Sequence, residues 1–250
     1  LGFLGTYLLS ELLKQTEARV YCLVRASTLA EAMERLQIAL SQRGLWDKQY
    51  GHRIEPLLGD LQHVNWGLSE KKFAQLAVKI DVICHNGAWV NHIYPYDILK
   101  PANVLGTKTV LKLASTTRTK PVHYISTISV FSAELEKVMA DTPLQKPEIL
   151  VNGYAQTKWV SEALLQKAKE RGVPVTVYRP SRLIVPPPFS AKAHADDIFQ
   201  RTLQTYTQLG TIGGTAESEE NILPIDWASR AVVTLSTQPQ AHNKKYHLVH

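Results

Sequence analysis

The sequence predicts the α/β class: a doubly wound parallel sheet with helices on both of its faces. Short β-rich runs alternate with helical patterns along most of the chain. The runs are apolar enough for strands buried on both faces, and apolar residues of the intervening segments recur at three and four. In order, the expected strands are ARVYCLVR (18–25), RIEPLL (53–58), IDVICHNGA (80–88), PVHYIST (121–127) and VPVTVYRP (173–180). The expected helices are GTYLLSELLKQ, TLAEAMERLQIALSQ, SEKKFAQLAV, NVLGTKTVLKLAS and YAQTKWVSEALLQKAKE. Ligands of such a sheet bind at the carboxyl ends of its strands. The alternation fades after Pro180, where SRLIVPPPFSAKAHADD carries three consecutive prolines and no clear period. Residues 1–180 are therefore expected to form the main domain, and 181–250 part of a smaller, substrate-side region at the C-terminal end.

With 250 residues, 44% of them hydrophobic, the chain can bury one large core. Its apolar runs fall short of the roughly 18 residues that cross a bilayer, and no basic-then-apolar leader opens it. The expectation is a cytoplasmic protein with no membrane partner. Cys22 and Cys84 lie in strand-like runs and no C-x-x-C or H-E-x-x-H occurs, so two reduced core thiols and no metal site are expected. The formal charge is +6, but the basic residues are scattered, which describes a solvated surface rather than a nucleic-acid interface.

LGFLG at the amino end reads as the glycine turn that follows a strand and opens a helix. A dinucleotide fingerprint G-x-x-G-x-x-G would place its last two glycines at Gly2 and Gly5, around Phe3 and Leu4. Its first glycine, and a first strand, would then precede residue 1, so the sequence is expected to be a fragment. Such glycines let backbone approach a pyrophosphate at a helix N-terminus, although G-F-L-G alone equally fits a plain helix-entry turn. About twenty residues beyond the fingerprint, the chain reads the 2′ position of the adenine ribose. Arg25 stands there with no Asp or Glu within five residues, a planar fork suited to a phosphate monoester, and NADPH is the expected cofactor. Asp60 and Leu61 in LLGDL fit either a pair lining the adenine or an ordinary turn. In HNGAWVN (85–91), Asn86, Gly87 and Ala88 follow a strand, and the small residues suit either close approach to the cofactor or a tight turn.

Y-x-x-x-K occurs twice, at Tyr96–Lys100 and Tyr154–Lys158. A tyrosine that exchanges its proton near neutrality must lose about three units from a pKa near 10, or about 4 kcal/mol. An ammonium within about 4–6 Å lowers such a pKa by one to three units, and one helical turn brings Lys158 into that range of Tyr154. A hydroxyl on the adjacent strand end would complete a two-donor pocket for a developing oxyanion. Tyr154–Lys158 has Ser126 and Thr127 for this, at the end of the strand before it. Tyr96 precedes that strand, and Pro101 is expected to disfavour helix at Lys100.

Taken in order, G-F-L-G, the strand-end S-T-x-S-V and Y-x-x-x-K resemble the extended short-chain dehydrogenase/reductases, whose fold is a Rossmann-type sheet. Nearly the whole chain, through CLVRA, RLQIALSQRGLW, GDL, ICHNGAWVN, YDILKPANVLGTKTVLKLAS, HYISTISVF, YAQTKWVSE, RPSR and ILPIDW, is similar to the thioester reductase (terminal reductase) domains of nonribosomal peptide synthetases and carboxylic acid reductases. The resemblance implies a triad of Thr127, Tyr154 and Lys158, with Thr127 favoured over Ser126 and Lys158 on the nicotinamide ribose. It also implies Gly2 and Gly5 under the pyrophosphate, and Arg25 with Arg35 on the 2′-phosphate. The implied reaction is NADPH-dependent release of a phosphopantetheinyl acyl or peptidyl thioester as an aldehyde, or after a second reduction an alcohol; the implied partner is an acyl- or peptidyl-carrier domain. Leu1, where the family has threonine, and LIVPPP (183–188), where it has a glycine-containing loop, are departures, and the second leaves the substrate contacts open. Rival readings are a fatty acyl-CoA reductase, an NAD-dependent sugar epimerase, against which Arg25 argues, and a non-catalytic NADPH-binding module.

Overall fold

A computed structural model describes residues 2–132, 135, 138–150, 152–185, 198–211 and 221–250. Leu1 and the three prolines at 186–188 lie outside the described residues. In chain order the elements are α1 (Phe3–Gln15), β1 (Val20–Val24), α2 (Leu29–Ser41), β2 (Ile54–Leu58), α3 (Glu70–Lys79), β3 (Ile83–His85), α4 (Tyr96–Lys100), α5 (Gly106–Ser115), β4 (Val122–Ile125), α6 (Gly153–Glu170), β5 (Val175–Pro180), β6 (Arg182–Ile184), α7 (Ile198–Leu209), β7 (Ile222–Pro224), α8 (Ile225–Ser236) and β8 (Lys245–Leu248). The strands pair in parallel throughout: β1 with β2, then β3-β4-β5-β8, and β6 with β7. This bears out the doubly wound α/β expectation. The expected division near residue 180 falls between β5 and β6; β6 and β7 leave the main sheet, and β8 rejoins it beside β5.

Two-residue alternation along β4 and β5 sends side chains to opposite layers. Tyr124 and Val177 pack with Leu165 of α6, Val110 and Leu113 of α5, and Phe73 of α3. Ile125 and Tyr178 pack on the other face with Leu8 of α1 and Val232 and Val233 of α8. The helices are closed by side chains where the sequence offers them. Thr28 accepts from Glu31 N (3.1 Å) while Glu31 reaches back to Ser27 N (2.7 Å), and Asn152 caps α6 through Ala155 N (2.9 Å). At the C-terminus of α1, buried Arg53 donates to the carbonyls of Thr16 and Leu13.

Two sequence expectations need correction. Burial on both faces holds for β4 and β5 but not for β1 and β2, which are mostly half-buried, nor for β3, whose Cys84 is exposed. β1 and β3 belong to separate ladders, so the full two-layer cover is reached only by the central strands. Pro101 does not break the helix either. Lys100 is helical (φ −52, ψ −44), and α4 runs through a π turn at Pro101–Leu105 directly into α5. The wider i→i+5 turn accommodates both the pyrrolidine ring and its missing N–H.

Two buried histidines make the fold acid-sensitive. Burial, with the nearby charge of Lys158, depresses His85 to about 3, and burial with His242 depresses His123 to about 4. Unfolded, each titrates near 6.5, so between these values the unfolded chain binds more protons. Their contribution to stability is complete above about pH 6.5 and is lost as pH falls towards 4 and then 3. The melting temperature is expected to fall steadily from pH 6.5 to pH 4, and His123→Gln is expected to flatten that slope. An unchanged slope in the variant would remove His123 from the account.

Candidate active site

At the end of β4 stand Lys158 and the two candidate strand-end hydroxyls, Ser126 and Thr127. Lys158 of α6, only 2% exposed, donates from Nζ to the carbonyl of Ile125 (2.5 Å) and lies 4.1 Å from the centre of the Tyr124 ring. Two residues beyond Ile125, half-buried Thr127 caps the short turn Ile128–Val130, its Oγ1 accepting from Ser129 N at 3.2 Å. Ser126 is spent differently: its buried Oγ donates to Glu162 Oε1 at 2.5 Å. Of the two strand-end hydroxyls, that of Thr127 has the partly exposed setting, where it donates to Ser129 Oγ at 3.2 Å.

Tyr154 lies one helical turn before Lys158, is 9% exposed, and has the His92 ring against it edge-on with centroids 5.5 Å apart. Gly153 sets its depth. A Cβ there would stand 2.4 Å from Tyr96 N and 2.6 Å from Tyr94 O, so α6 enters directly against the 94–96 backbone. A buried polar cluster locks that approach. Asn103 accepts from Trp89 N (2.7 Å) and donates to Trp89 O (3.1 Å) and Thr157 Oγ1 (2.9 Å), while Ser161 Oγ donates to Asn103 O (3.0 Å). The alternative pair stays on α4, with Lys100 Nζ 5.7 Å from the centre of the Tyr96 ring.

Electrostatics overturn one expectation. Lys158 does not render Tyr154 acidic. Burial pushes the phenol up to about 12, and burial drives Lys158 down to about 7 against the opposing pull of Glu162. The ammonium is turned onto the Ile125 carbonyl and the Tyr124 face, so desolvation decides the phenol's state. Tyr154 is therefore protonated at neutral pH, the form of a proton donor.

Of the dinucleotide candidates, Asn86 approaches Gly5 and Leu61 approaches Gly87, while Arg25 and Arg35 stand together beyond the end of β1. Gly2 caps α1 without a side-chain acceptor, and a Cβ at Gly2 would meet nothing within 4 Å. A Cβ at Gly5 would stand 3.1 Å from Asn86 Nδ2, which brings the β3 loop against the first turn of α1. Phe3 packs edge-on against Tyr7, and Leu4 joins the α1–α8 layer. Leu61 fills the space at Gly87, where a Cβ would lie 2.7 Å from its Cδ1, and half-buried Ala88 leads on to Trp89. Asp60 Oδ1 accepts from Gln62 N at 3.0 Å, the geometry of a turn aspartate. Arg25 is exposed at the end of β1, where Arg35 donates to its carbonyl and also stands 3.8 Å from Glu31.

Sequence reasoning missed Gly153, Asn103, His92, Glu162 and Arg179. Only the last two carried a signal, a Glu four residues beyond Lys158 and an Arg inside an otherwise apolar strand. Since the atoms facing Gly153 are backbone, Gly153→Ala is expected to destabilise the fold by about 1–3 kcal/mol, read as a lower melting temperature. A melting temperature equal to that of the unaltered protein would show that α6 can retreat freely.

A family model described as Male sterility protein matches residues 1–232. The chain is 41% identical over 252 residues to a component of the linear gramicidin synthase of Brevibacillus parabrevis, covering 99% of this chain and 5% of that protein. Among solved structures, it superposes on the terminal R domain from the myxalamid PKS-NRPS biosynthetic pathway with a TM-score of 0.95 and 43% identity, covering 99% of this chain and 64% of that one. A thiolation-reductase di-domain from an archaeal non-ribosomal peptide synthetase matches with a TM-score of 0.83 and 26% identity, over 99% of this chain and 54% of that one. The chain thus spans less than two thirds of the length of each. These matches bear out the resemblance read from the sequence.

Proposed function

We propose, from the premise that the chain belongs to the Male sterility protein family of NAD-binding domains, that it reduces a carrier-bound acyl or peptidyl thioester with NADPH and releases an aldehyde. The observation that supports the reading is that buried Lys158, one helical turn from the buried, protonated Tyr154, is tied to the carbonyl of Ile125, two residues before half-buried Thr127. Similarity to reductase domains of peptide synthetases, one of them solved with its thiolation domain, supports a phosphopantetheine-bearing carrier as partner.

The residues present fit a nicotinamide dinucleotide. The uncapped N-terminus of α1 offers backbone N–H groups beside open space at Gly2, and Gly5 lets the β3 loop at Asn86 close onto that turn. Gly2, Phe3, Leu4 and Gly5 would hold the pyrophosphate. Asn86, Gly87 and Ala88 would flank it, with Asp60 and Leu61 towards the adenine. Arg25 and Arg35 supply the cationic corner that favours a 2′-phosphate, hence NADPH over NADH. Bound NADPH supplies the hydride.

Thr127 and Tyr154 would hold the thioester carbonyl by its oxygen, and both donate more strongly as negative charge develops there. Tyr154 gives that oxygen its proton. With hydride on the carbonyl carbon the product is a hemithioacetal; as its C–S bond breaks, its hydroxyl proton returns through the Tyr154 phenolate and reaches the sulfur, so the carbonyl re-forms as the aldehyde and the carrier leaves as its thiol. Lys158, its Nζ held on the Ile125 carbonyl, would offer donors to the nicotinamide ribose.

The test is NADPH absorbance followed with an acyl-loaded carrier, an acyl-CoA and a nucleotide sugar. Oxidation is expected with the loaded carrier; oxidation with the nucleotide sugar alone, or with none of the three, would defeat the reading. Tyr154→Phe is expected to lower kcat by about 10²- to 10³-fold while NADPH still binds, and full activity in that variant would remove the tyrosine from the mechanism. Arg25→Asp is expected to weaken NADPH binding by at least about tenfold more than NADH binding, measured by fluorescence titration; equal loss for both would undo the 2′-phosphate assignment.

A further inference from the structure

Beside the proposed triad lies a buried ion pair that the mechanism above does not use. Glu162 and Arg179 are 3% and 0% exposed. Arg179 grips the carboxylate with two donors, Nε to Oε1 at 3.0 Å and Nη2 to Oε2 at 2.6 Å. Its Nη1 donates to the Ala140 carbonyl at 3.2 Å and lies 3.1 Å from His247 Nε2, and the guanidinium stands 4.7 Å from the centre of the Phe131 ring. The same Glu162 Oε1 accepts from Ser126 Oγ at 2.5 Å. Parallel pairing of β4 with β5 brings these ends together: Ile125 faces Tyr178 in register, and Ser126 N donates to Tyr178 O at 2.7 Å. Replacing a buried pair of this kind by apolar side chains is often neutral or stabilising, so stability alone does not account for it.

We propose that Glu162 is a positioning residue of the reductase site: held by Arg179 of β5, its carboxylate ties Ser126, and with it the adjoining Thr127, to the turn of α6 that carries Lys158. The inference rests on the proposed function for its catalytic consequence. One carboxylate then serves two of the three triad members. Through Ser126 it sets where the Thr127 backbone leaves β4, and one helical turn from Lys158 it supplies the anion that favours the ammonium in a buried site. The other titratable groups around Lys158 are His85 of β3, Tyr124 of β4 and Tyr154 of α6, with Arg179 of β5 behind Glu162. Removing Glu162 therefore removes the favourable anion, and the lysine midpoint moves down.

Three variants of the full-length protein test this. Ser126→Ala cuts the tie and keeps the ion pair. Glu162→Gln removes the charge at constant size. Glu162→Gln with Arg179→Met removes both charges, which avoids a lone buried cation and so preserves a folded comparison. Two readouts are needed: kcat and KM with NADPH and a loaded carrier, and the Lys158 midpoint from nitrogen NMR of labelled lysine. Ser126→Ala is expected to lower kcat by at least about tenfold with KM for NADPH and the Lys158 midpoint unchanged. Glu162→Gln, or the double variant should the single one not fold, is expected to lower the midpoint by at least about half a pH unit and to lower kcat. Wild-type kcat in Ser126→Ala together with an unmoved midpoint in the Glu162 variants would overturn the proposal. A parent protein that oxidises no NADPH with any thioester would instead defeat the reductase reading, and the NMR midpoint would still score Glu162.

Discussion

The site depends on how the first turns of α6 dock onto the end of β4. Lys158, buried and bound to the Ile125 carbonyl, is the contact that sets this docking. A lysine in that setting costs desolvation energy, visible as its fall to about 7. The structure offsets part of that cost with a carbonyl, an aromatic face and the anion one turn along. Once the lysine is placed, helical geometry puts Tyr154 one turn back and Glu162 one turn on. A single interaction thus orders the donor, the cation and the buried anion.

Close approach has a second requirement, which is met by backbone rather than by charge. Gly153 lets α6 enter where a Cβ would strike the 94–96 backbone, and Asn103 stitches the loop at Trp89 to Thr157. The π turn at Pro101–Leu105 belongs to the same arrangement, since it carries Asn103 between α4 and α5. The bonds of Asn103 to Thr157 and of Ser161 to Asn103 are buried and those at Trp89 part-buried, and with its polar atoms paired the cluster resists loosening. The hydroxyls and amide that serve it are committed to holding the backbone rather than to chemistry, just as Ser126 is.

Electrostatically, the two halves of the site are built in opposite ways. The side proposed for the dinucleotide is open, with an uncapped helix N-terminus and the exposed cation Arg25, and it suits a solvated, multiply charged ligand. The reacting side is buried, and its tyrosine is kept protonated by desolvation. Reduction of a carbonyl needs a proton donor at the oxygen, so a phenol held in its neutral form is suited to the direction proposed.

The amino-acid order alone was sufficient for the parallel α/β sheet, because alternating strand and helix periods admit few other packings. It also located the glycine turn at Gly2–Gly5 and the arginine at the end of β1, since backbone freedom and a permanent charge are properties of the residue itself. Tertiary structure decided the rest. Which strand-end hydroxyl is committed to a buried partner turned on Glu162, 36 residues from Ser126, and the state of the phenol turned on burial rather than on its helical neighbour. Pro101 stayed helical because a π turn absorbed it, and Asp60 settled into a turn hydrogen bond. Desolvation and long-range hydrogen bonds depend on what the folded chain brings alongside a group, which local spacing does not encode.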